Sequence, residues 1–560
     1  MMTKKWRARF WEGDRALWLA LILGFAFCLH GIRWGRVEDW NPDQMALRRL
    51  SLTLKPHGYE KPPFHTFVNH VLVLWPLSFA EAVARVITGR PQNFNELELL
   101  GSRLLTATMF LGMILIGYRI ADEFCGRTAA RIVALIFATS AGFVAQAHYL
   151  TVDIPVVFWM MLALFFASRI ILDPLSKNYF AAGLCTGLAT ATKYNGLAVG
   201  VSIVVAHLLA RPWNWRALIP DKRLWIGLAM VVAGFVLGNP WAIFDWRRFS
   251  ADFSYNYAVA PRYNGQTGLG FTKFARGILD LLGWPGGILI GTLIVISLLL
   301  LVRRKIDRRA TQCFLLCASV FFLYTLKIGS FPRVPTRFVL PAVPFFILMA
   351  APALRRSQII LPLLLPILFY NAVCSFYVGH WFRDDPRTAA QAWMETNVAA
   401  CSRIESSASA PHWSKLPGLN AFETDADDPK FEKAGPHRTI DLRMPRPNSR
   451  FELFSKIFAG DEGMVEAARK RETPPDLQEF SGEALETRHP DFVAVSATDH
   501  MARIEVVHQY YEQMLRGEFP YRIVFDGVAT KLPRWTYPRE IDQPTRRLTI
   551  LQRSETSTTR

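Results

Sequence analysis

Long apolar stretches alternate with short charged segments from Ala16 to His380, and beyond Trp381 the chain becomes charged and proline-rich. A membrane-spanning helix needs about 20 apolar residues, with a usual range of about 17–25. The pattern therefore predicts a mainly α-helical, multi-pass membrane domain over residues 1–380, followed by a soluble domain over residues 381–560. Stretches of suitable length are Ala16–Trp34, Leu99–Ala121, Thr128–Ala147, Ile154–Leu172, Leu224–Phe244, Gly277–Val302, Thr311–Lys327, Phe338–Leu354 and Gln358–Gly379.

One further apolar region, Tyr179–Ala210, is too long for a single helix and is interrupted by the polar segment Lys193–Gly196. We predict two short spans there, which brings the total to about 11 transmembrane helices. With the N-terminus in the cytoplasm, this count places the dense basic clusters on the inner side, as the positive-inside bias requires. We therefore expect a plasma (inner) membrane protein whose C-terminal domain is extracytoplasmic, or periplasmic.

Two long external loops follow from this topology, residues 35–98 and residues 245–276. Within the first, Phe64–Val86 is apolar, but polar residues such as His65 and Asn69 leave only about ten uninterrupted apolar positions, too few to cross. We predict amphipathic helices that lie on the outer membrane surface.

The soluble domain is predicted to be mixed α/β. Apolar spacing indicates helices over Pro386–Val398 and Met501–Leu515, and strands over Phe492–Val495 and Tyr521–Phe525.

The net charge of +18 raises the question of a nucleic-acid partner. The basic residues of this chain, however, stand in short clusters between apolar stretches, which is typical of cytoplasmic loops. We therefore expect no nucleic-acid partner. Of the seven cysteines only Cys401 falls in the soluble domain, so no structural disulfide is predicted, and no Cys or His spacing indicates a metal site.

Carboxylates cluster just after the first apolar stretch, at Glu38, Asp39 and Asp43, with Gln44 next in the chain. A carboxylate at the boundary between water and lipid can serve as general base toward an acceptor hydroxyl. The alternative is a solvated loop whose aspartates cap a helix.

A second polar motif, His148–Pro155, separates the third and fourth apolar stretches. Asp153 can cap the fourth helix, with Pro155 in its first turn. A cap and a carboxylate in an active site are compatible, so both roles stay open for Asp153, with His148 as a secondary candidate.

Four cations are predicted at the same outer level: Lys61, Lys193, Arg333 and Arg337. A lipid phosphate lies at that depth, and contacts from ammonium or guanidinium groups to phosphate are strong hydrogen bonds. The alternative for each residue is ordinary snorkelling of a long basic side chain at a helix end. Their convergence with two acidic motifs favours a phosphate site.

These motifs resemble the GT-C glycosyltransferases of the protein O-mannosyltransferase and aminoarabinose-transferase type. The likeness covers roughly residues 16–400. It is carried by Trp40–Met45, Lys61–Pro63, Thr151–Pro155, Thr192–Gly196 and Arg337–Pro341, in this order along the chain.

The resemblance implies an enzyme that moves a sugar from a polyprenyl-phosphate lipid to an acceptor hydroxyl on a glycan, a lipid or a protein. Asp43 would be the base, and Asp153 would position the reacting groups. Lys61, Lys193 and Arg337 would bind the donor phosphate. Gln44 departs from the family, which commonly has Glu there, so a paired-acid mechanism is in doubt and Glu38 and Asp39 are the alternatives.

No cofactor is implied beyond the lipid-linked sugar as co-substrate, although two carboxylates leave room for a divalent metal ion. Direct attack by the acceptor predicts inversion at the anomeric carbon. Two rival functions stay open at this stage. A secondary transporter also has broken helices like the one at Lys193, and an inactive scaffold of the same fold would tolerate changes at Asp43, Asp153 and Lys61.

Overall fold

A computed structural model describes residues 14–35, 42–55, 61–89, 95–210, 221–254, 256–257, 268–355, 357–399, 402–407, 422–423, 438–442, 477–496, 505–529, 533, 535–538 and 547–554. The chain divides into two compact units. The first comprises Met1–Ile32, Leu47–Gly379 and Arg534–Glu540, and the second comprises Arg33–Ala46, His380–Pro533 and Ile541–Arg560.

The helices up to the break at Lys193 are α1 (Arg15–Leu29), α2 (Pro42–Thr53), α3 (Phe64–Asn69), a π-helical segment (His70–Leu74), α4 (Trp75–Thr88), α5 (Asn95–Cys125), α6 (Arg127–Thr139), α7 (Ala141–Ala147), α8 (Asp153–Leu172) and α9 (Ser176–Thr192). After the break come a 3₁₀ segment (Tyr194–Gly200), α10 (Val201–Leu209), α11 (Lys222–Gly238), α12 (Trp241–Phe244), α13 (Trp246–Ser254), α14 (Phe271–Leu282), α15 (Trp284–Val302), α16 (Arg308–Gly329), α17 (Thr336–Val339), a 3₁₀ turn (Leu340–Ala342), α18 (Val343–Leu354) and α19 (Ser357–Arg383).

Within the described residues, seven helices are long and apolar enough to cross a membrane, or up to eight if one bent pair is a single span. The helical, multi-pass architecture is therefore confirmed, whereas the predicted count of about 11 spans is not. Large apolar side chains stay exposed on these helices, as Ile288 (57%) and Val302 (69%) do on α15. A soluble protein rarely leaves such residues in water, whereas lipid accepts them.

Several predicted spans differ from the helices that form. α1 ends at Leu29 and is only 15 residues long, shorter than the predicted Ala16–Trp34. The predicted span Thr128–Ala147 is bent by 54° between α6 and α7. The bend lies at Ser140, whose hydroxyl donates to the carbonyl of Leu281 at 3.0 Å. This contact ties the bend to the C-terminal end of α14.

The region predicted to form surface helices, Phe64–Val86, is one helical run, Phe64–Thr88, with the length and apolar composition of a span. The expectation of too few apolar residues is therefore wrong, because His65 and Asn69 are fully buried and do not interrupt the helix. Only 11% of its most apolar stretch is buried, against 83% for Thr336–Leu354. Its position on the surface stays a prediction.

Close packing of α9 on α11 depends on glycines that allow the two backbones to meet. A Cβ at Gly187 would overlap the carbonyl oxygen of Val231 and lie 2.5 Å from Phe235 N, and Gly183 faces Gly227 in the same way.

Gly187→Val is therefore expected to destabilise the first unit, since neither facing atom belongs to a side chain that can rotate away. Overpacking of this kind costs about 1–3 kcal/mol or more. A clear drop in the melting temperature of the purified protein would show it, and Gly291→Val is the matched control, because a Cβ at Gly291 meets only Phe346 at 3.8 Å. Equal melting temperatures for the two variants would contradict the prediction.

The second unit contains a mixed sheet in the order β2-β3-β1-β4-β6-β5. Its strands are β1 (Arg403–Ser407), β2 (Phe422–Glu423), β3 (Arg438–Leu442), β4 (Phe492–Ser496), β5 (Tyr521–Val528) and β6 (Arg547–Arg553). β1 is parallel to β3 and β4, whereas β6 runs antiparallel to both β4 and β5. Its helices are α20 (Pro386–Asn397), α21 (Gly482–Arg488) and α22 (Glu505–Leu515).

Alternation along β4 sends successive side chains to opposite faces of this sheet. Val493 and Val495 pack with Tyr511 and Met514 of α22, and Phe492 and Ala494 pack with Ala390 and Met394 of α20. The predicted α/β architecture is confirmed: helices cover both faces of the sheet.

Candidate functional site

The break after α9 exposes three consecutive polar side chains inside the first unit. Lys193 is extended (φ −156°, ψ 129°), and the chain then turns into the 3₁₀ segment. A Cβ at Gly196 would lie 2.6 Å from the backbone of Ala189, so only glycine allows the chain to fold back this tightly. The predicted interruption at Lys193 is therefore confirmed.

Asp153 and Lys193 form an ion pair in which the carboxylate is buried and the lysine is partly exposed. Asp153 is the first residue of α8 and is 3% exposed. Lys193 Nζ donates to its Oδ1 at 2.6 Å. Of the two roles left open for Asp153, capping of α8 is not observed: the capping position is Val152, and no side chain caps that helix end. The carboxylate instead turns to the ammonium, while the positive end of the helix dipole also stabilises its charge.

Tyr194 and Asn195 connect this break to other helices. The Tyr194 hydroxyl donates to Asp252 Oδ2 at 2.5 Å. Asn195 Nδ2 donates to the Tyr324 hydroxyl at 2.6 Å, and that hydroxyl donates to the carbonyl of Phe338 at 2.8 Å. Both residues lie inside the motif Thr192–Gly196, but sequence reasoning gave a role only to the lysine.

Lys61 is a buried cation at the start of α3. It is 7% exposed, and its Nζ has no hydrogen-bond partner among the described residues. The ammonium lies 4.5 Å from the ring centroid of Phe249. Burial lowers the pKa of Lys61 to about 8, although the charges of Asp252 and Asp245 act in the opposite direction. The group is thus charged at neutral pH and incompletely solvated.

Two aromatic rings gather the predicted cations. Phe249 carries Lys61 on its face and lies 6.3 Å from the Tyr194 ring, next in the chain to Lys193. Phe338 lies 4.7 Å from Lys193 Nζ and 6.0 Å from the guanidinium of Arg337. Cations over aromatic faces are attracted by the negative π-system and keep their charge, and Lys193 also has a carboxylate partner in Asp153. Lys61, Lys193 and Arg337 therefore all keep positive charge that an anion can contact.

Asp252 and the two rings were missed by sequence reasoning. The short helix α13 carries Phe249, Asp252 and Phe253 at helical spacing. Tyr194 contacts all three. The amphipathic pattern of Trp246–Ser254 was the one sign of this helix in the sequence. The pattern does not show which segment of the chain the helix packs against.

The predicted base and its neighbours lie in a different part of the chain. Asp43 is half-buried in the first turn of α2, and Gln44 is fully buried. Both belong to the second unit, so their grouping with Asp153 stays a prediction. Glu38 and Asp39 lie outside the described residues.

His148 and Arg333 were secondary candidates. Both ring nitrogens of His148 contact backbone carbonyls, Nδ1 that of Val144 at 2.7 Å and Nε2 that of His30 at 2.8 Å. This favours a structural tie between α1 and α7. Arg333 is half-buried in the segment before α17. Among the residues that the structure describes, no group of three or more side chains is arranged to hold a metal ion.

Comparison with known proteins supports the fold. Residues 94–241 match the family described as dolichyl-phosphate-mannose-protein mannosyltransferase. The crystal structure of ArnT from Cupriavidus metallidurans bound to undecaprenyl phosphate is similar at a TM-score of 0.50 and 14% identity, covering 96% of this chain and 97% of ArnT. No curated protein sequence matches.

Two more distant likenesses carry no further argument. The apo structure of the same ArnT gives a TM-score of 0.49 at 14% identity, covering 96% of this chain and 97% of ArnT. The Archaeoglobus fulgidus oligosaccharyltransferase with Zn and sulfate gives 0.41 at 12% identity, covering 86% of this chain and 68% of that chain. The resemblance to the GT-C superfamily is confirmed: the chain is a multi-pass membrane protein with the fold of ArnT, and its residues 94–241 are similar to the dolichyl-phosphate-mannose-protein mannosyltransferases.

Proposed function

We propose that this chain is an integral-membrane glycosyltransferase that transfers a sugar from a polyprenyl phosphate of the undecaprenyl or dolichyl type to an acceptor hydroxyl, with inversion. The observation that carries the proposal is the buried ammonium of Lys61, which has no hydrogen-bond partner in the described chain. A buried charge is costly unless it is paired. A phosphate ligand supplies the missing partner, and the ArnT of similar fold was crystallised with undecaprenyl phosphate.

In the proposed reaction, an acceptor oxygen attacks the anomeric carbon while the bond from that carbon to the phosphate oxygen breaks. The electron pair of that bond leaves with the phosphate. Asp43 takes the acceptor proton, which is help typically worth about 10²–10⁴-fold. Lys61, Lys193 and Arg337 stabilise the charge that grows on the leaving phosphate, and so favour the transition state over the ground state.

Asp153 has a positioning role in this scheme. Its hydrogen bond uses one of the three ammonium protons of Lys193 and fixes the direction of that side chain. The other two remain to serve a phosphate oxygen without any movement of the backbone. Because the Lys193 ammonium is already in position, no free energy is needed to reorient it when the phosphate leaves.

The donor reaches the site laterally from the bilayer, and the acceptor is a glycan, a lipid or a protein. In keeping with the distribution of basic residues, we place the site on the outer face of the plasma membrane, with the N-terminus inside and the soluble domain outside. The proposed scheme routes no step through a metal ion.

Incubation of the purified full-length protein with a panel of polyprenyl-phosphate sugars tests the proposal directly. One donor should be consumed, releasing the free lipid phosphate, and Lys61→Met should abolish most of that release. If no sugar lipid is consumed but a labelled solute crosses vesicles without any lipid donor, the transporter alternative replaces this proposal.

The pKa of Lys61 predicts a pH dependence. Because burial lowers this pKa to about 8, the ammonium is charged below that pH and loses its proton above it. The kcat/KM for the lipid donor, which reports the free enzyme, should therefore fall as the pH rises through about 8. Lys61→Arg should move this fall to higher pH, since a guanidinium stays protonated. Lys177→Arg, at an exposed lysine, is the control, and an identical profile for all three proteins would contradict the assignment.

A further inference from the structure

A cavity of about 400 Å³ opens on the first unit, and none of its lining residues has a part in the proposed reaction. Its walls come from α14, from the start of α15 and from the segment Arg534–Glu540, and the lining residues are Ala275, Arg276, Leu279, Trp284 and Tyr537. Pockets that hold small ligands commonly measure about 300–1,000 Å³ and combine apolar walls with a few polar groups. The cavity has this size and this composition, so it is a candidate binding site of its own.

One carboxylate organises the polar side of this cavity. Asp280 Oδ1 accepts a hydrogen bond from Trp284 Nε1 at 3.1 Å, and Asp280 Oδ2 lies 3.9 Å from Arg276 Nε. The second separation is longer than a hydrogen bond, and 68% of the Arg276 side chain is exposed, so its five N–H donors can reach a ligand. A carboxylate has about four acceptor sites, of which Trp284 uses one. The cavity thus offers a positive and a negative group side by side.

A further helix, α19, holds the walls of the cavity in place. Asn371 Nδ2 of this helix donates to the carbonyl of Leu282 at 2.9 Å, at the turn between α14 and α15. One residue earlier, the Tyr370 hydroxyl donates to the carbonyl of Trp535, and the Tyr370 ring lies 6.5 Å from that of Tyr537. Because one helix binds both walls, the cavity is part of the packed unit and keeps its shape without a ligand.

The cavity lies at one end of a membrane span. Trp284–Val302 is among the helices that are long and apolar enough to cross a membrane, and Trp284 is its first residue. Trp and Tyr are enriched where lipid headgroups meet the hydrocarbon. Along the rest of the span, the face of α15 that carries Trp284 exposes an apolar stripe, Ile288, Val295, Leu299 and Val302. A lipid with its headgroup in the cavity can therefore lay its chains along this stripe.

The two charges of the cavity discriminate between lipid headgroups. The guanidinium fork of Arg276 matches a phosphate, which it can bind through two parallel hydrogen bonds. Asp280 matches an ammonium on the same headgroup, and the rings of Trp284 and Tyr537 also attract a cation. A headgroup that has a phosphate but no ammonium would bring its negative charge beside Asp280 without compensation. Charge complementarity therefore favours a zwitterionic headgroup over an anionic one.

We propose that this cavity binds the headgroup of a phospholipid of the phosphatidylethanolamine type, with its phosphate on Arg276, its ammonium on Asp280 and its acyl chains along the exposed face of α15. The site goes beyond the proposed function, because binding requires no sugar transfer and no residue of the proposed reaction. The bound lipid contacts α14, α15 and the segment Arg534–Glu540 together, so its binding stabilises the packing of these three elements.

The test measures binding of three short-chain phospholipids to the delipidated full-length protein by native mass spectrometry: phosphatidylethanolamine, phosphatidylcholine and phosphatidylglycerol. Wild type should bind phosphatidylethanolamine most tightly, since choline has no N–H to donate to Asp280 and glycerol carries no positive charge. Asp280→Asn keeps an acceptor for Trp284 and should weaken phosphatidylethanolamine about tenfold, the effect of one hydrogen bond between charged groups, without weakening phosphatidylglycerol. Arg276→Gln should weaken all three lipids about tenfold.

Arg355→Gln is the matched control. Arg355 is also an exposed arginine paired with an aspartate, Asp307, near the other end of α15, and its loss should change none of the three affinities. Equal binding of the three lipids by wild type would overturn the site, as would an unchanged preference in Asp280→Asn. Arg276 is exposed, so Arg276→Gln should fold normally, and wild-type binding by this variant would remove the phosphate contact. Free phosphoethanolamine should compete only weakly, and displacement as effective as that by the lipid would show that the chains do not bind along α15.

Discussion

Asp43→Asn is expected to lower turnover by about 10²–10⁴-fold, the range that a general base typically contributes. The amide has the size and shape of the carboxylate but cannot accept the acceptor proton. Because Asp43 lies in the first turn of α2 and is half-buried, the exchange is expected to leave the fold intact. Single-turnover measurements with the sugar lipid identified in the panel would separate loss of chemistry from loss of donor binding.

Asp122→Asn is the matched control for this substitution. Asp122 is also half-buried in a helix, α5, but lies within Arg119–Arg131, a basic segment that the predicted topology places in the cytoplasm. It should keep full turnover. Near-normal turnover of Asp43→Asn in a folded protein would remove the proposed base, and the same measurement on Glu38→Gln and Asp39→Asn would then test the two alternative carboxylates.

Loss of Asp153 is expected to damage both stability and activity, because it leaves the ammonium of Lys193 without its anion. Breaking a buried ion pair by removing one partner costs roughly 3–5 kcal/mol. The expected cost of losing Asp153 lies at the lower end of this range, since 21% of the Lys193 side chain stays exposed to solvent. Thermal unfolding of Asp153→Ala in detergent would measure the loss, and the rate of sugar transfer should fall with it.

The double variant Asp153→Ala with Lys193→Met separates the two effects. Removal of both charges takes away the uncompensated cation, so much of the stability should return. Activity should not return, because the cation that stabilises the leaving phosphate is gone. Recovery of transfer in the double variant would contradict a role for Lys193 in phosphate binding, and no recovery of stability would show that the pair is not energetically coupled.

Much of the fold could be predicted from local pattern. Apolar stretches of membrane length, the polar interruption at Lys193, and the strands that begin at Phe492 and Tyr521 all depend on neighbouring residues along the chain. Helix ends were less predictable. At the bend, the Ser140 hydroxyl contacts Leu281, a residue so far away in sequence that no periodicity reveals the contact.

In the candidate site, too, some features could be predicted from the sequence and others are decided only by packing. The amino-acid sequence alone identified Asp153, Lys61, Lys193 and Arg337 as charges at the ends of apolar stretches, because such charges are costly near lipid. Only the tertiary structure decided that Asp153 binds Lys193 instead of capping α8, and that Lys61 lies over Phe249. Both outcomes depend on which side chains burial brings together from distant segments, and that choice is made by packing of the whole unit, not by any local preference of the chain.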